Sequence, residues 1–138
     1  MIKTFSVFIF SVFAFHAHAA DMTKNVNCFD DTGVITVTLD VANGQATDIT
    51  WLQARSLPPA IFTLTSQKPA SALWPSLPTA DAKAWPMGSY VGQLNGETLI
   101  LNIARKASAG GGGCDWEGIL TYVRTDASVL TWGMYCAQ

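Results

Sequence analysis

Two carboxylates separated by a single residue, Asp115 and Glu117, have a spacing that could serve chemistry. In an extended strand, residues two apart lie on the same face, so both carboxylates would project together, with the intervening tryptophan on the other face. Paired carboxylates beside aromatic rings are typical of glycoside hydrolysis or of calcium binding. Because so small a β domain rarely provides a glycosidase cleft, we interpret this pair, like Asp30 and Asp31, as a solvated acidic edge.

The three cysteines, Cys28, Cys114 and Cys136, allow one disulfide and leave one free thiol. A bridge between Cys28 and Cys136 would close almost the whole chain into a loop and would therefore stabilise it most. A bridge between Cys114 and Cys136 would instead hold a C-terminal hairpin together. Chain entropy favours the first pairing, and the second stays open. Without a histidine to activate it, the remaining thiol is better interpreted as a small buried side chain than as a nucleophile.

The N-terminus has the features of a secretory signal peptide. Lys3 precedes an uncharged run at residues 5–15, and Ala-His-Ala at 17–19 is a small-x-small cleavage signal. The run is too short to span a bilayer, so we expect no membrane span and delivery to the periplasm. We assign residues 1–19 to the signal peptide and residues 20–138 to a single β domain.

Both histidines lie in the predicted signal peptide, so the mature domain lacks the commonest general base and zinc ligand. Its seven lysines and arginines face ten aspartates and glutamates, a net charge of −3. There is no basic cluster, which argues against nucleic acid as a partner. These features predict a protein that is not an enzyme and that has no cofactor and no metal site.

The mature sequence has the period-two alternation of β-strands rather than the period of helices. Residues 35–41 alternate between apolar and polar side chains, and hairpin patterns follow at residues 89–104 and 117–136, with a further strand at residues 61–65. We therefore predict an all-β fold, a small antiparallel barrel or sandwich built from hairpins.

The first hairpin must contain one extra, unpaired residue to keep the apolar side chains of its two strands on one face. A two-residue loop at Asn43 and Gly44 would set the apolar sets of the two strands on opposite faces. We therefore predict a three-residue loop at 42–44, with Gly44 left-handed in a bulge and Val37 opposite Ile49.

The other two hairpins are predicted around a two-residue turn at Asn95 and Gly96 and a four-residue loop at 125–128. The opposed pairs that these turns predict are Tyr90 with Leu101, Val91 with Ile100, Val123 with Leu130, and Ile119 with Met134.

Two segments interrupt the strand pattern. All six prolines lie between residues 58 and 86, in a Pro/Trp-rich surface excursion that includes Trp74 and Trp85. Exposed tryptophans stack on sugars or anchor protein interfaces, although these two could equally fold back as a lid over the barrel. The second segment is the glycine run 110–113, which lacks the Gly-Lys-Ser/Thr ending of a phosphate loop. It is either a plain linker or a loop that adapts to a partner.

Two stretches of the sequence resemble the periplasmic inhibitors of c-type lysozyme, which are small bacterial β-barrels. The first is Val-Asn-Cys-Phe-Asp at residues 26–30, leading into the strand at 34–41. The second is Lys-Ala-Ser-Ala-Gly at residues 106–110, before a strand that ends in Tyr122 and Val123. The resemblance implies a disulfide from the first cysteine to the last strand and a loop that enters the lysozyme cleft. Here alanine follows the serine where the family has glycine.

The resemblance and the export signal together lead to the main functional hypothesis, an exported inhibitor that binds and blocks a cell-wall hydrolase. The target would be a lysozyme or a toxin effector, and in the second case the protein is an immunity protein. The residues predicted to contact this protein partner are Ser108, Gly110, Arg105, Lys106, Trp74 and Trp85. The alternatives are a non-catalytic binding module for a glycan or small ligand, and a weak enzyme that uses carboxylates or the spare thiol.

Overall fold

A computed structural model describes residues 23–52, 57–69, 85–107 and 113–138. These residues form eight strands and no helix. The strands are β1 (Val26–Phe29), β2 (Thr36–Ala42), β3 (Gln45–Leu52), β4 (Ala60–Pro69), β5 (Gly88–Leu94), β6 (Glu97–Lys106), β7 (Trp116–Val123) and β8 (Val129–Ala137). Each strand pairs antiparallel with the next, and β8 pairs with β1, so the sheet closes into a barrel. The predicted all-β fold is confirmed, in its barrel form.

Several predicted features lie outside the described residues. They are the signal peptide at 1–19, most of the Pro/Trp-rich excursion including Trp74, and the positions of Ser108 and Gly110. Within the described ranges there is no helix that is both long and apolar enough to cross a bilayer.

The barrel interior is filled by side chains from every strand, because alternate residues of each strand point inward. β2 shows this alternation directly, with Val37 and Leu39 fully buried between half-buried neighbours. Burial of each such side chain contributes about 1.5–3 kcal/mol. The buried apolar residues are Val26, Cys28, Val37, Leu39, Ile49, Trp51, Phe62, Met87, Tyr90, Leu99, Leu101, Ile103, Trp116, Leu120, Tyr122, Met134 and Cys136.

The first hairpin contains one extra, unpaired residue, as predicted, but this residue lies in β3 and not in the turn. The turn contains only Asn43 and Gly44, both with positive φ (53° and 73°), so the predicted three-residue loop at 42–44 is wrong. The extra residue is Thr47, which forms a bulge in β3 where the register shifts. Beyond the bulge Leu39 lies opposite Ile49 and both are buried, so the predicted pair of Val37 with Ile49 is wrong. An Asn-Gly pair suits the left-handed two-residue turn, so the chain keeps that turn and corrects the parity inside the strand.

The second hairpin agrees with its prediction in every detail. Asn95 and Gly96 form a two-residue turn with φ of 51° and 82°, and Tyr90 lies opposite Leu101. Val91 likewise lies opposite Ile100.

The third hairpin is displaced by one residue from its predicted register. The loop takes in residues 124–128, with Ala127 left-handed at a φ of 64°, rather than four residues. As a result Met134 pairs with Gly118 instead of Ile119. Because side chains alternate with period two, this shift places Ile119 on the outer surface, where it is 42% exposed. The predicted pairs Ile119 with Met134 and Val123 with Leu130 are therefore wrong.

A disulfide between Cys28 and Cys136 closes the barrel where its first and last strands meet. The two cysteines lie directly opposite each other, and both are fully buried. The favoured pairing is confirmed, and Cys114 is the free cysteine. Cys28 lies within a short strand of its own rather than before the first strand. A buried disulfide is compatible with an exported protein in an oxidising compartment.

The two ends of the barrel differ in what they contain. At one end, which we call the terminal end, β1 begins and β8 ends, β4 ends and β5 begins, and β6 ends and β7 begins. At the opposite end, the distal end, lie the β5–β6 and β7–β8 turns.

Candidate functional site

A groove of about 350 Å³ lies on the outer surface of β7 and β8. Its lining residues are Asp31, Arg105, Glu117, Gly118, Gly133, Met134 and Tyr135. Gly133 leaves room for the depression, because no heavy atom lies within 4 Å of the position that a Cβ would take there. The groove therefore combines charged side chains with a floor that contains exposed backbone.

An ion pair borders the groove. Arg105 of β6 and Glu117 of β7 are cross-strand neighbours, and Arg105 Nε lies 2.6 Å from Glu117 Oε2. The arginine side chain is 71% exposed and the glutamate 20%. The expectation that Glu117 is a freely solvated acidic residue is therefore wrong. Arg105, predicted to face a partner's carboxylates, already has a carboxylate neighbour in its own barrel.

Asp31 supplies the second carboxylate of the groove. It is exposed, and no described residue forms a hydrogen bond or ion pair with its side chain. With Glu117 and Arg105, the groove contains two carboxylates and one guanidinium, so it has a net charge of −1.

The adjacent Asp30 has a structural role instead of forming a solvated edge, which corrects its prediction. Its carboxylate accepts hydrogen bonds from the Thr32 hydroxyl at 2.6 Å and from the backbone N–H of Ile35 at 3.0 Å. These bonds, the one from Thr32 above all, hold the pKa of the Asp30 carboxyl below its usual range. The N–H of Gly33 also donates to the Asp30 carbonyl at 3.1 Å. This network orders the β1–β2 connection and so holds Asp31 beside the groove.

Exposed aromatic and aliphatic side chains adjoin the groove. Phe29 and Tyr135 lie opposite each other on β1 and β8, with ring centroids 6.4 Å apart. They are 38% and 37% exposed, and Ile119 projects from β7 opposite Gly133. We call Phe29, Tyr135 and Ile119 the apolar rim. Sequence reasoning missed this rim. One part of it could have been found, because pairing Cys28 with Cys136 sets Phe29, which follows Cys28, opposite Tyr135, which precedes Cys136.

The predicted contact residues that the structure describes lie toward the terminal end. Lys106, the last residue of β6, is exposed, and no described residue pairs with its side chain. It lies opposite Trp116, whose ring is buried at the edge of the core. Arg105 precedes it on the outer wall, and Trp85 lies just before β5.

Trp85 is packed against the barrel core and not fully exposed. Its ring meets Tyr90 edge-on, with centroids 5.9 Å apart and an interplanar angle of 81°. The Tyr90 hydroxyl donates a hydrogen bond to the Pro86 carbonyl at 2.7 Å. Burial strongly raises the pKa of this hydroxyl. The position of Trp85 thus agrees with the alternative in which it folds back onto the barrel.

A second aromatic group lies inside the barrel toward the distal end. Trp51 contacts Tyr122 edge-on at 4.5 Å between ring centroids and Trp132 at 5.9 Å. Trp51 is buried, whereas Trp132 is half-buried. Arg124 lies 5.9 Å above the Tyr122 ring. Burial and the neighbouring Glu97 carboxylate raise the pKa of the Tyr122 hydroxyl.

Within the described ranges, no group of three or more His, Cys, Asp or Glu side chains could hold a metal ion. Cys114 is half-buried and Asp115 is exposed. The charged lining of the groove and the adjoining apolar rim suit recognition of charge and of apolar surface.

No protein-family model matches the chain, and neither a curated protein nor a solved structure shows significant similarity to it.

Proposed function

We propose that this protein is exported to the bacterial periplasm, where it binds and blocks a cell-wall hydrolase, either a lysozyme or a toxin effector. The predicted signal peptide supports export, and a fully buried disulfide suits an oxidising compartment. The closed barrel has the architecture that the resemblance to lysozyme inhibitors implied.

The observation that supports the proposal is that the strand ends flanking two unusual chain segments lie together at the terminal end. β4 ends and β5 begins there, flanking the segment with Trp74, and β6 ends and β7 begins there, flanking the segment with Ser108 and Gly110. Strand order alone thus brings the attachment points of both unusual segments to one end of the barrel. A surface built from two adjacent connections on a rigid scaffold is a common arrangement for binding a protein.

The mechanism would be occlusion of the hydrolase cleft by this end of the barrel. Lys106 is exposed and unpaired among the described residues, so it is better placed than Arg105 to meet the catalytic carboxylates of a hydrolase. Arg105 would have to exchange its contact with Glu117 to do the same. Trp85 would contribute by shaping the barrel end beneath the contact.

A lysis assay tests this proposal. Mature protein at micromolar concentration should slow a muramidase or amidase, and Lys106→Glu should weaken the inhibition at least about tenfold if the cation faces a desolvated carboxylate. Arg124→Glu, the matched charge change at the distal end, should leave inhibition unchanged. If no hydrolase is slowed, or if both variants act alike, the proposal is wrong.

A binding module for a glycan is the second candidate, and one observation favours it. The indole N–H of Trp51 is buried without a hydrogen-bond acceptor among the described residues, next to the half-buried Trp132. Trp51 itself is buried, but the half-buried ring of Trp132 beside it offers aromatic surface on which a sugar could stack. Pull-down on peptidoglycan separates the two functions: retention without any protein partner, lost in Trp132→Ala but retained in Lys106→Glu, would favour this candidate.

A further inference from the structure

We propose that the groove on β7 and β8 is a docking pocket for a lysine or arginine side chain of a protein partner. The cation would lie between Asp31 and Glu117, and the apolar rim would contact the residues on either side of it in the partner. The proposal holds whichever protein is the partner, so it does not depend on inhibition of a hydrolase.

The unused carboxylate oxygens are the first reason. Asp31 has no partner among the described residues, and the contact of Glu117 with Arg105 uses only Oε2. With a net charge of −1, the groove is complementary to one additional positive charge. An incoming ammonium or guanidinium would gain hydrogen bonds to ionised acceptors, which are the stronger kind.

The shape of the groove is the second reason. Gly133 leaves its floor open, and the Tyr135 ring stands at its side. A lysine or arginine can lay its aliphatic stem along such a surface while its charged group reaches the carboxylates. The face of Tyr135 adds a cation–π attraction where the cation lies within about 6 Å of it.

The third reason is that the pocket is ordered before anything binds. Asp30 holds the β1–β2 connection through hydrogen bonds to Thr32 and Ile35, and the other lining residues belong to paired strands. Little conformational entropy is then lost on binding.

A partner protein is a better occupant than a second copy of this chain. The predicted mature domain has a net charge of −3, so two copies repel each other at long range, whereas a basic partner is attracted. The apolar rim extends the contact beyond the cation, because Phe29 and Ile119 are exposed on the same outer face.

NMR titration of the isotopically labelled mature protein tests the proposal with defined probes. These are the blocked peptide acetyl-Gly-Arg-Gly-amide and, as a matched control, acetyl-Gly-Gln-Gly-amide, both at millimolar concentration. We expect the arginine peptide to shift the amide signals of Asp31, Gly133 and Tyr135. Asp31→Asn should weaken this binding about twofold to fivefold, as expected for one exposed charge pair. Tyr135→Ser should weaken it by a similar factor.

Asp48→Asn is the matched control variant, because it removes one carboxylate from β3, outside the groove. It should bind the arginine peptide as the wild type does. Equal shifts with the glutamine peptide, or equal weakening by Asp31→Asn and Asp48→Asn, would overturn the proposal. Shifts of the groove signals that grow with protein concentration alone, without peptide, would identify a second copy as the occupant and would also overturn it.

Discussion

Removal of the disulfide between Cys28 and Cys136 should cost this protein a large part of its stability. The bridge joins residues 108 positions apart, so it restricts the unfolded chain over most of its length. For a loop of about 108 residues, the chain-entropy estimate is about 4.8 kcal/mol at 25 °C. The strand pair that the bridge supports is short, since only three residues of β1 pair with β8. The strand pairing at this seam can therefore replace little of the lost constraint.

The test compares the oxidised and reduced forms of a Cys114→Ser protein, in which only the bridge changes. We expect reduction to lower the free energy of unfolding by about 3–5 kcal/mol. With an unfolding entropy of about 2.1 cal/mol/K per residue and 119 predicted mature residues, the melting temperature should fall by about 12–20 °C. Circular dichroism during heating and urea titration measure both quantities. The double variant Cys28→Ala/Cys136→Ala should lose somewhat more, because it also removes two fully buried sulfur atoms.

Two results would refute this reasoning. A loss below about 1 kcal/mol on reduction would mean that chain entropy is not the main contribution of the bridge. A non-reducing peptide map that joins Cys114 to Cys136 would show that the pairing itself is wrong. Cys114→Ser alone should change the melting temperature little, since this half-buried thiol forms no bridge.

Three further predictions follow from individual contacts. Asp30→Asn should lower the melting temperature at neutral pH. The folded-state pKa of Asp30 is lowered, so its stabilisation is present above the unfolded value near 3.8 and is lost as the pH falls through the folded value. Melting temperatures of the variant and the wild type should therefore converge at acidic pH, once the Asp30 carboxyl is protonated in the folded wild type. Gly118→Ala should destabilise the protein by about 1–3 kcal/mol in urea titration, because its Cβ would clash with the backbone oxygen of Asn102 in β6. Gly133→Ala should be neutral or slightly stabilising, because no heavy atom lies within 4 Å of the position of its Cβ. Equal losses for the two alanine variants would contradict the barrel register. Tyr90→Phe should cost about 1–2 kcal/mol, since it removes the buried hydrogen bond to the Pro86 carbonyl. Because burial raises the folded-state pKa of Tyr90, the variant should also lose part of the wild type's drop in stability above about pH 10, while Tyr122 accounts for a remaining part; an unchanged alkaline profile would show that Tyr90 is not buried in this way.

The alternation of apolar and polar side chains was sufficient to predict an all-β fold and most of its strands, but it left barrel and sandwich both open and did not predict β1. The Asn95-Gly96 turn could be predicted in full, because an Asn-Gly pair and a regular alternation on both sides allow only one register. The disulfide pairing was favoured from sequence, because it closes the longest loop, but the alternative pairing stayed open until the closed barrel set Cys28 opposite Cys136. These features depend on local conformational preference or on the order of elements, both of which are properties of the sequence itself.

Register elsewhere depended on single residues that the alternation does not specify. The bulge at Thr47 and the five-residue loop at 124–128 each move a strand by one position, and with period two this exchanges its inner and outer faces. Ile119 therefore lies on the outer surface opposite Gly133, and not opposite the buried Met134 as predicted. Packing against the rest of the barrel decides whether the extra, unpaired residue of a hairpin lies in its turn or in one of its strands.

The groove could not be predicted, because it combines distant parts of the chain. Asp31, Arg105, Glu117 and Tyr135 come from four different segments and meet only through the pairing of β6 with β7, β7 with β8 and β8 with β1. The sequence by itself determined which residues are charged, aromatic or small, and it determined the strands that present them. Only the tertiary structure decided which of them face each other, because barrel closure and register, and not distance along the chain, set the neighbours of an outward-pointing side chain.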